Sequence, residues 1–125
     1  MRFLRFFRKN DTYRKIYIYG VTLRTGDQNY TLGVVFDFTN SDSNEIEVIE
    51  LNYPNTEPWE IFTTNEEVLN QVILGLKLVN KSLGTPYKVS KILYCPTDGL
   101  TDRIYSDLIA LLIRHYHSDG EFEGL

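Results

Sequence analysis

The chain has 125 residues, with 13 Lys or Arg against 17 Asp or Glu and a formal net charge of −4 at pH 7, which fits one ordinary acidic domain. Hydrophobic residues make up 42% and aromatic residues 14% of the chain, a composition that excludes an intrinsically disordered protein. The single cysteine, Cys95, excludes an intramolecular disulfide and a cysteine-rich zinc site and fits a cytoplasmic protein.

The first predicted element is a basic and aromatic segment, residues 1–10. Residues 1–24 hold seven cations and one anion, whereas residues 25–125 hold six cations and sixteen anions. Arginine recurs every three residues between Phe and Leu, which predicts a short amphipathic helix. Such a short helix is marginally stable in water, so we expect it to dock on another surface. That surface is either the acidic body of its own chain or a second copy of the chain, in which case residues 2–9 form a homo-oligomer. External partners and an anionic membrane surface are the weaker alternatives.

Three strands are predicted next. Residues 15–25 are rich in β-branched and aromatic side chains, and residues 30–38 alternate apolar and polar side chains with a period of two. Residues 26–29 read as the hairpin loop between them. Residues 45–53 form the third strand, in which the apolar pattern shifts by one position. That shift predicts a β-bulge near Val48 and Ile49, or a strand covered on both faces.

Two helices and a further strand complete the prediction. The spacings Thr63 to Glu66 and Thr64 to Glu67 are capping boxes, so a helix begins there, and Gly84 and Pro86 end it. The apolar stripe expected on this helix is Leu69, Val72, Ile73, Leu76, Val79 and Leu83. Its interior glycine, Gly75, suggests close packing against the sheet. A strand follows at residues 88–95, then a second helix ending near residues 115–118 and an acidic tail at 119–125.

The order β-β-β-α-β-α predicts an α+β fold in a single domain, residues 1–125, with a mostly antiparallel sheet of about four strands and two main helices on one face. The first three strands are expected to be antiparallel neighbours, and the strand at 88–95 follows a helical crossover, so it can run parallel to the third. No apolar run approaches the length of a membrane span, and the opening MRFLRFFR lacks the apolar stretch of a signal peptide.

Cys95 and Arg103 form the candidate ligand-binding pair. Cys95 ends a predicted strand just before a helix, where backbone N–H groups attract anions and lower the pKa of a thiol, and Arg103 is the nearest arginine. A small enzyme or an anion-binding domain would use this junction. The acidic residues between them oppose phosphate binding, and a buried cysteine at a strand end is the simpler interpretation.

The sequence carries no catalytic or cofactor-binding motif. It contains no phosphate-binding glycine loop, no nucleophile elbow and no HExxH sequence. His115 and His117 are the two histidines, and near a helix end residues two apart point about 200° away from each other, so no metal site is predicted. We therefore expect a binding protein rather than an enzyme, without a cofactor.

Carboxylates and aromatic residues after the second strand form the candidate partner-binding surface. Its residues are Glu45, Glu47, Glu50, Tyr53, Glu57, Trp59 and Glu60. Aromatic anchors within a charged rim are typical of protein interfaces, and an acidic surface selects a basic protein partner and disfavours nucleic acid. Carboxylates on an edge strand also prevent aggregation without any partner.

In general character the chain is small, acidic, aromatic-rich and α+β. In this it is similar to bacterial immunity proteins, which neutralise a basic toxin, often a nuclease, by covering it; no motif carries the likeness. The first hypothesis is accordingly an inhibitor that occludes a basic partner. A small enzyme or anion-binding domain at Cys95 and Arg103 is the second, and a self-associating structural module is the third.

Overall fold

The structure is a computed structural model that describes residues 2–26, 28–39, 45–51, 64–95 and 103–125. Within these ranges the chain forms six strands and two helices. In chain order they are β1 (Arg2–Asp11), β2 (Ile16–Thr25), β3 (Gln28–Phe36), β4 (Glu47–Glu50), α1 (Asn65–Leu83), β5 (Val89–Tyr94), α2 (Ile104–His117) and β6 (Glu123–Gly124).

The six strands form one mixed sheet in the order β4-β5-β3-β2-β1-β6. Antiparallel pairing joins β1 to β2, β2 to β3 and β3 to β5. Parallel pairing joins β4 to β5 and β1 to β6 at the two edges. The predicted α+β class and the two helices are confirmed, but the sheet has six strands rather than about four. The two additional strands, β1 and β6, come from segments whose sequences predicted a helix and an acidic tail.

The N-terminal segment is a strand and not a helix. All ten residues of β1 pair with the ten residues of β2, so Leu4 and Phe6 lie on the face that carries the helices while Phe7 lies on the other face. The ring of Phe7 covers Gly20 of β2, where a Cβ atom would lie only 2.1 Å from the Phe7 Cζ atom. The segment therefore docks on its own chain, but by strand pairing with β2, which carries no acidic residue, and not as a helix on an acidic surface.

The third predicted strand is shorter than expected and has different neighbours. β4 is paired with β5 in continuous register, so the bulge predicted near Val48 and Ile49 is wrong. The side chains of Val48 and Ile49 are both half-buried, which agrees with the alternative prediction of a strand covered on both faces. The irregularity lies between β3 and β5, where Val35 pairs with Lys91 but Phe36 pairs with Val89. β5 separates β4 from β3, so these two are not antiparallel neighbours, whereas the parallel pairing of β4 with β5 is confirmed.

The ends of α1 follow the predicted signals. The Thr64 Oγ1 atom accepts a hydrogen bond from the backbone N–H of Glu67 at 3.3 Å, and Gly84 closes the helix in the left-handed conformation with φ of 67°. The buried side of the helix is formed by Val68, Val72, Gly75 and Val79. The predicted stripe is therefore partly misplaced, because Ile73 is 45% exposed.

The main core lies between one face of the sheet and both helices. It combines alternate residues of the strands with the inner sides of α1 and α2: Val21, Leu23, Tyr30, Leu32, Val34, Phe36, Val68, Val72, Val79, Val89, Ile92, Tyr94, Tyr105, Leu108, Ile109, Leu112 and Ile113. Ile18, Leu93 and Cys95 are buried on the opposite face of the sheet. Among the described residues, neither helix has the length and hydropathy needed to cross a membrane.

The two helices approach closely at Gly75. A Cβ atom at this position would lie 2.5 Å from both the backbone oxygen of Ser106 and the Cγ2 atom of Ile109, which are residues of α2. The glycine therefore permits contact between the helices, and the predicted close packing of Gly75 against the sheet is wrong. Because one obstacle is backbone, it cannot be relieved by a rotamer change.

We expect Gly75→Ala to lower the free energy of unfolding by about 2 kcal/mol, because overpacking at the α1–α2 contact outweighs the roughly 1 kcal/mol gained in helix propensity. Urea unfolding followed by circular dichroism measures the change. Asn70→Ala, on the exposed side of the same helix, is the matched control and should be neutral or slightly stabilising. A Gly75→Ala variant as stable as the wild type would contradict the close approach.

Candidate functional site

A cleft of about 600 Å³ lies where the C-terminal end of α2 and the segment that follows it meet β1 and β2. Its lining combines aromatic, cationic and anionic side chains: Arg8, Tyr19, Tyr87, Tyr116, His117, Asp119, Gly120, Glu121 and Phe122. We call it the tyrosine cleft. A second cleft, of about 590 Å³, shares Tyr87 and His117 with it.

Aromatic packing holds the floor of the tyrosine cleft. The ring of Tyr116, on α2, lies 5.2 Å from the ring of Tyr19 on β2 and 4.5 Å from that of Phe36 on β3. Tyr87, which precedes β5, contacts Tyr116 edge-on at 5.7 Å. Edge-on contacts of this kind are a favoured arrangement of aromatic pairs, so Tyr19, Tyr87 and Tyr116 pack as one cluster beneath the cleft.

The outer wall of the cleft is the segment between α2 and β6. The chain reverses through Asp119, whose φ is 56°, and the backbone N–H of Gly120 donates to the carbonyl of His115 at 2.9 Å. Phe122 then packs against Tyr19 at 5.0 Å. Beyond it, Glu123 accepts a hydrogen bond from the Arg5 Nε atom at 2.7 Å. The predicted acidic tail is thus part of the sheet and part of the site.

Opposite charges lie at different walls of the cleft. Arg8 is the cross-strand partner of Tyr19, and its positive charge acts to lower the pKa of that tyrosine, although burial raises it overall. Burial also raises the pKa of Tyr116, and the carboxylate of Asp119 adds to this increase. The positive charge of Arg8 therefore acts on Tyr19 of β2, and the negative charge of Asp119 acts on Tyr116 of α2.

The two histidines bind different groups. The ring of His115 stacks on Phe6 with the centroids 3.7 Å apart, and its Nε2 atom lies 2.7 Å from the carbonyl oxygen of Glu121. His117 lies in the cleft, where its Nδ1 atom is 2.9 Å from the hydroxyl of Tyr87. In the part of the chain that the structure describes, no three His, Cys, Asp or Glu side chains are grouped so as to hold a metal ion.

Cys95 and Arg103 lie outside the tyrosine cleft. Cys95 directly follows β5 and is 6% exposed, in keeping with the simpler interpretation of a buried residue at a strand end. Arg103 is exposed and precedes the first residue of α2. Its side chain makes no capping hydrogen bond; in the first turn the backbone N–H of Tyr105 donates instead to the Gln71 Oε1 atom of α1 at 3.0 Å. The residues between them, 96–102, lie outside the described ranges.

Three of the seven predicted partner-binding residues are described. Glu45 and Glu47 are exposed, and Glu47 forms an ion pair with Lys91 of β5. Glu50 is exposed at the end of β4, and its Oε1 atom lies 3.2 Å from the hydroxyl of Tyr94. Tyr53, Glu57, Trp59 and Glu60 lie outside the described residues.

Comparison with protein-family models, with curated proteins and with solved structures finds no match to this chain. The site must therefore be interpreted from its own chemistry. Sequence reasoning missed the tyrosine cleft because its residues come from four separate parts of the chain. The signal that was present in the sequence is the high aromatic content, 9 Tyr and 7 Phe.

We expect the stability of the protein to fall as the pH rises above about 10, because tyrosines with a raised folded-state pKa ionise first in the unfolded chain. The stabilising contribution is complete below the unfolded pKa of about 10 and is lost as the pH rises through the folded pKa. Tyr116→Phe should reduce the slope of this loss in urea unfolding between about pH 9 and pH 11. Tyr13→Phe, at a ring that is 93% exposed, should keep the wild-type slope.

Proposed function

We propose that the protein is a binding protein and that the tyrosine cleft takes a small zwitterion, a free amino acid or a short peptide. The observation that carries the proposal is the separation of charge across one aromatic cleft, with Arg8 on the strand side and Asp119 on the helix side. The volume of about 600 Å³ lies within the range of small-molecule sites.

The strand side of the cleft suits a carboxylate. Arg8 is exposed, and none of the ion pairs among the described residues involves it. Its backbone is held on both sides, by β2 and by the N–H of Leu125, which donates to the Arg8 carbonyl at 3.0 Å. A guanidinium on a fixed backbone, beside the hydroxyl of Tyr19, binds a carboxylate with charge-assisted hydrogen bonds.

The helix side of the cleft suits an ammonium group. Asp119 and Glu121 are exposed and supply negative charge, and the rings of Tyr116 and Phe122, which contact each other, line the same cleft. A cation is attracted by carboxylates and by the faces of aromatic rings. Together the two sides orient a molecule that carries both charges. They bind a molecule with a single charge less well, because either Arg8 or the carboxylates would then have no opposite charge on the ligand.

A binding screen tests the proposal. Free L-amino acids and dipeptides at about 5 mM are added to ¹⁵N-labelled protein, and amide shifts are followed by NMR. We expect at least one compound to shift the signals of Arg8, Tyr19 and residues 116–122 together. Arg8→Ala should weaken that binding at least tenfold, as should Asp119→Asn.

Arg24→Ala is the matched control. Arg24 is an exposed arginine at the other end of β2, so its loss lowers the net charge equally without touching the cleft. It should leave the affinity unchanged. A screen in which no compound shifts the cleft signals, or binding that Arg8→Ala does not weaken, would refute the zwitterion proposal.

A second candidate function is occlusion of a basic protein by the acidic surface that begins at β4, as an inhibitor of the immunity type. The observation that favours it is the position of two exposed carboxylates at the edge strand β4: Glu47 is its first residue, and Glu45 lies two residues before it. Within the described ranges, β4 pairs with a neighbouring strand on one side only. Electrostatic attraction would bring a basic partner to this acidic surface, and the bound protein would then cover the functional surface of the partner.

We expect the association rate with such a partner to fall at least tenfold between about 50 mM and 300 mM salt, since exposed charges are screened over about 10 Å at 0.1 M. Surface plasmon resonance with the partner captured from the native host measures the rate. The double variant Glu45→Gln, Glu47→Gln should lower it, whereas Glu66→Gln on α1 should not. A rate that does not depend on salt would exclude this mechanism.

A further inference from the structure

The outward side of α1 carries large apolar side chains that, in the described part of the fold, are about half exposed. Leu74 is 47% exposed and Leu78 is 51% exposed, although α1 buries its other side against α2 and the sheet. Neighbouring exposed leucines on a single helix form a patch rather than the isolated apolar residues that are common on protein surfaces. This surface is separate from the tyrosine cleft, whose lining contains no residue of α1.

Leu74 lies at the centre of a narrow stripe along the helix. With about 100° of rotation per residue, positions 67, 70, 78 and 81 all fall within about 40° of Leu74 when viewed down the axis. All of these residues are exposed. We call the stripe formed by Glu67, Asn70, Leu74, Leu78 and Lys81 the α1 stripe.

Charge is distributed unevenly along the α1 stripe. Glu66 and Glu67 lie in the first turn of the helix, and Lys81 lies in the last turn. These positions also suit the helix dipole, which favours anions at the N-terminus and cations at the C-terminus. Since Glu67 and Lys81 are each seven residues from Leu74, the stripe has an acidic end and a basic end at equal distances from an apolar centre.

We propose that the occupant of the α1 stripe is the α1 stripe of a second copy of this chain, packed antiparallel about a two-fold axis at Leu74. In that arrangement Leu74 meets Leu74 of the second copy, and Glu67 of each chain lies beside Lys81 of the other. A parallel arrangement would instead place acid against acid and base against base. The charges therefore select one orientation, and the interface is self-complementary, as a two-fold axis requires.

The contact is small, which limits its strength. The helix of 19 residues is about 28 Å long, so one helix pair buries less than the roughly 1,200 Å² of a standard stable interface. The dimer should accordingly be reversible, with a dissociation constant on the order of 100 µM. Because the end contacts are exposed ion pairs, association should weaken as salt is added.

Charge reversal tests the proposal directly. Sedimentation equilibrium from about 10 µM to 1 mM, at about 50 mM salt, should show a monomer–dimer equilibrium for the wild type. Glu67→Lys alone and Lys81→Glu alone should each weaken dimerisation at least tenfold, because each change sets like charges against each other twice. The double variant should return to within about threefold of the wild type, since it recreates both pairs with the signs exchanged.

Two further measurements make the outcome decisive. Glu123→Lys changes the net charge by the same amount as Glu67→Lys at an exposed position on β6, at the sheet edge opposite β4, and it should leave dimerisation unchanged. Circular dichroism melting curves confirm that each variant is folded. A wild type that remains monomeric at 1 mM, or a double variant that does not recover, would overturn the proposal and assign the stripe to a different partner.

Discussion

The antiparallel ladder between β1 and β2 is the interaction on which the rest of the structure depends. It joins every residue of β1 to a residue of β2 and so converts a highly basic segment into an inner strand of the sheet. Phe6 then meets His115 of α2 on one face, while the ring of Phe7 closes over Gly20 on the other. The ladder also presents the outer edge to which β6 is added. Both walls of the tyrosine cleft are therefore positioned through β1.

The sequence predicted correctly those elements whose conformation is determined by residues close to one another in the chain. The period of two in β3, the capping box at Thr64 and the glycine at position 84 each define geometry within a few residues. β1 was misread because arginine at every third position resembles a helical pattern over eight residues. Its conformation is determined by β2, which is a non-local partner, and propensity alone does not report such a partner. β6 has only two residues and thus no periodic signal at all.

The candidate site was less predictable than the fold for a related reason. Tyr19, Tyr87 and Tyr116 lie far apart in the sequence, and each is an ordinary half-buried aromatic residue in its own part of the chain. Only the sheet order and the turn after α2 bring them together with Arg8 and Asp119. By contrast, Cys95 and Arg103 stood out because they are close in sequence, which says little about whether two side chains share a cavity.

The pairing of β1 with β6 has a consequence for the order in which the molecule assembles and opens. Phe7 and Glu123 are 116 positions apart, so joining them closes a long loop at an entropic cost that few contacts offset. Such an element forms late in folding and detaches at a lower free energy than global unfolding. Because residues 119–122 lead directly into β6, its detachment would widen the tyrosine cleft while the β1–β2 ladder stays intact. The two-residue strand β6 thus lies where its detachment alone would open the cleft.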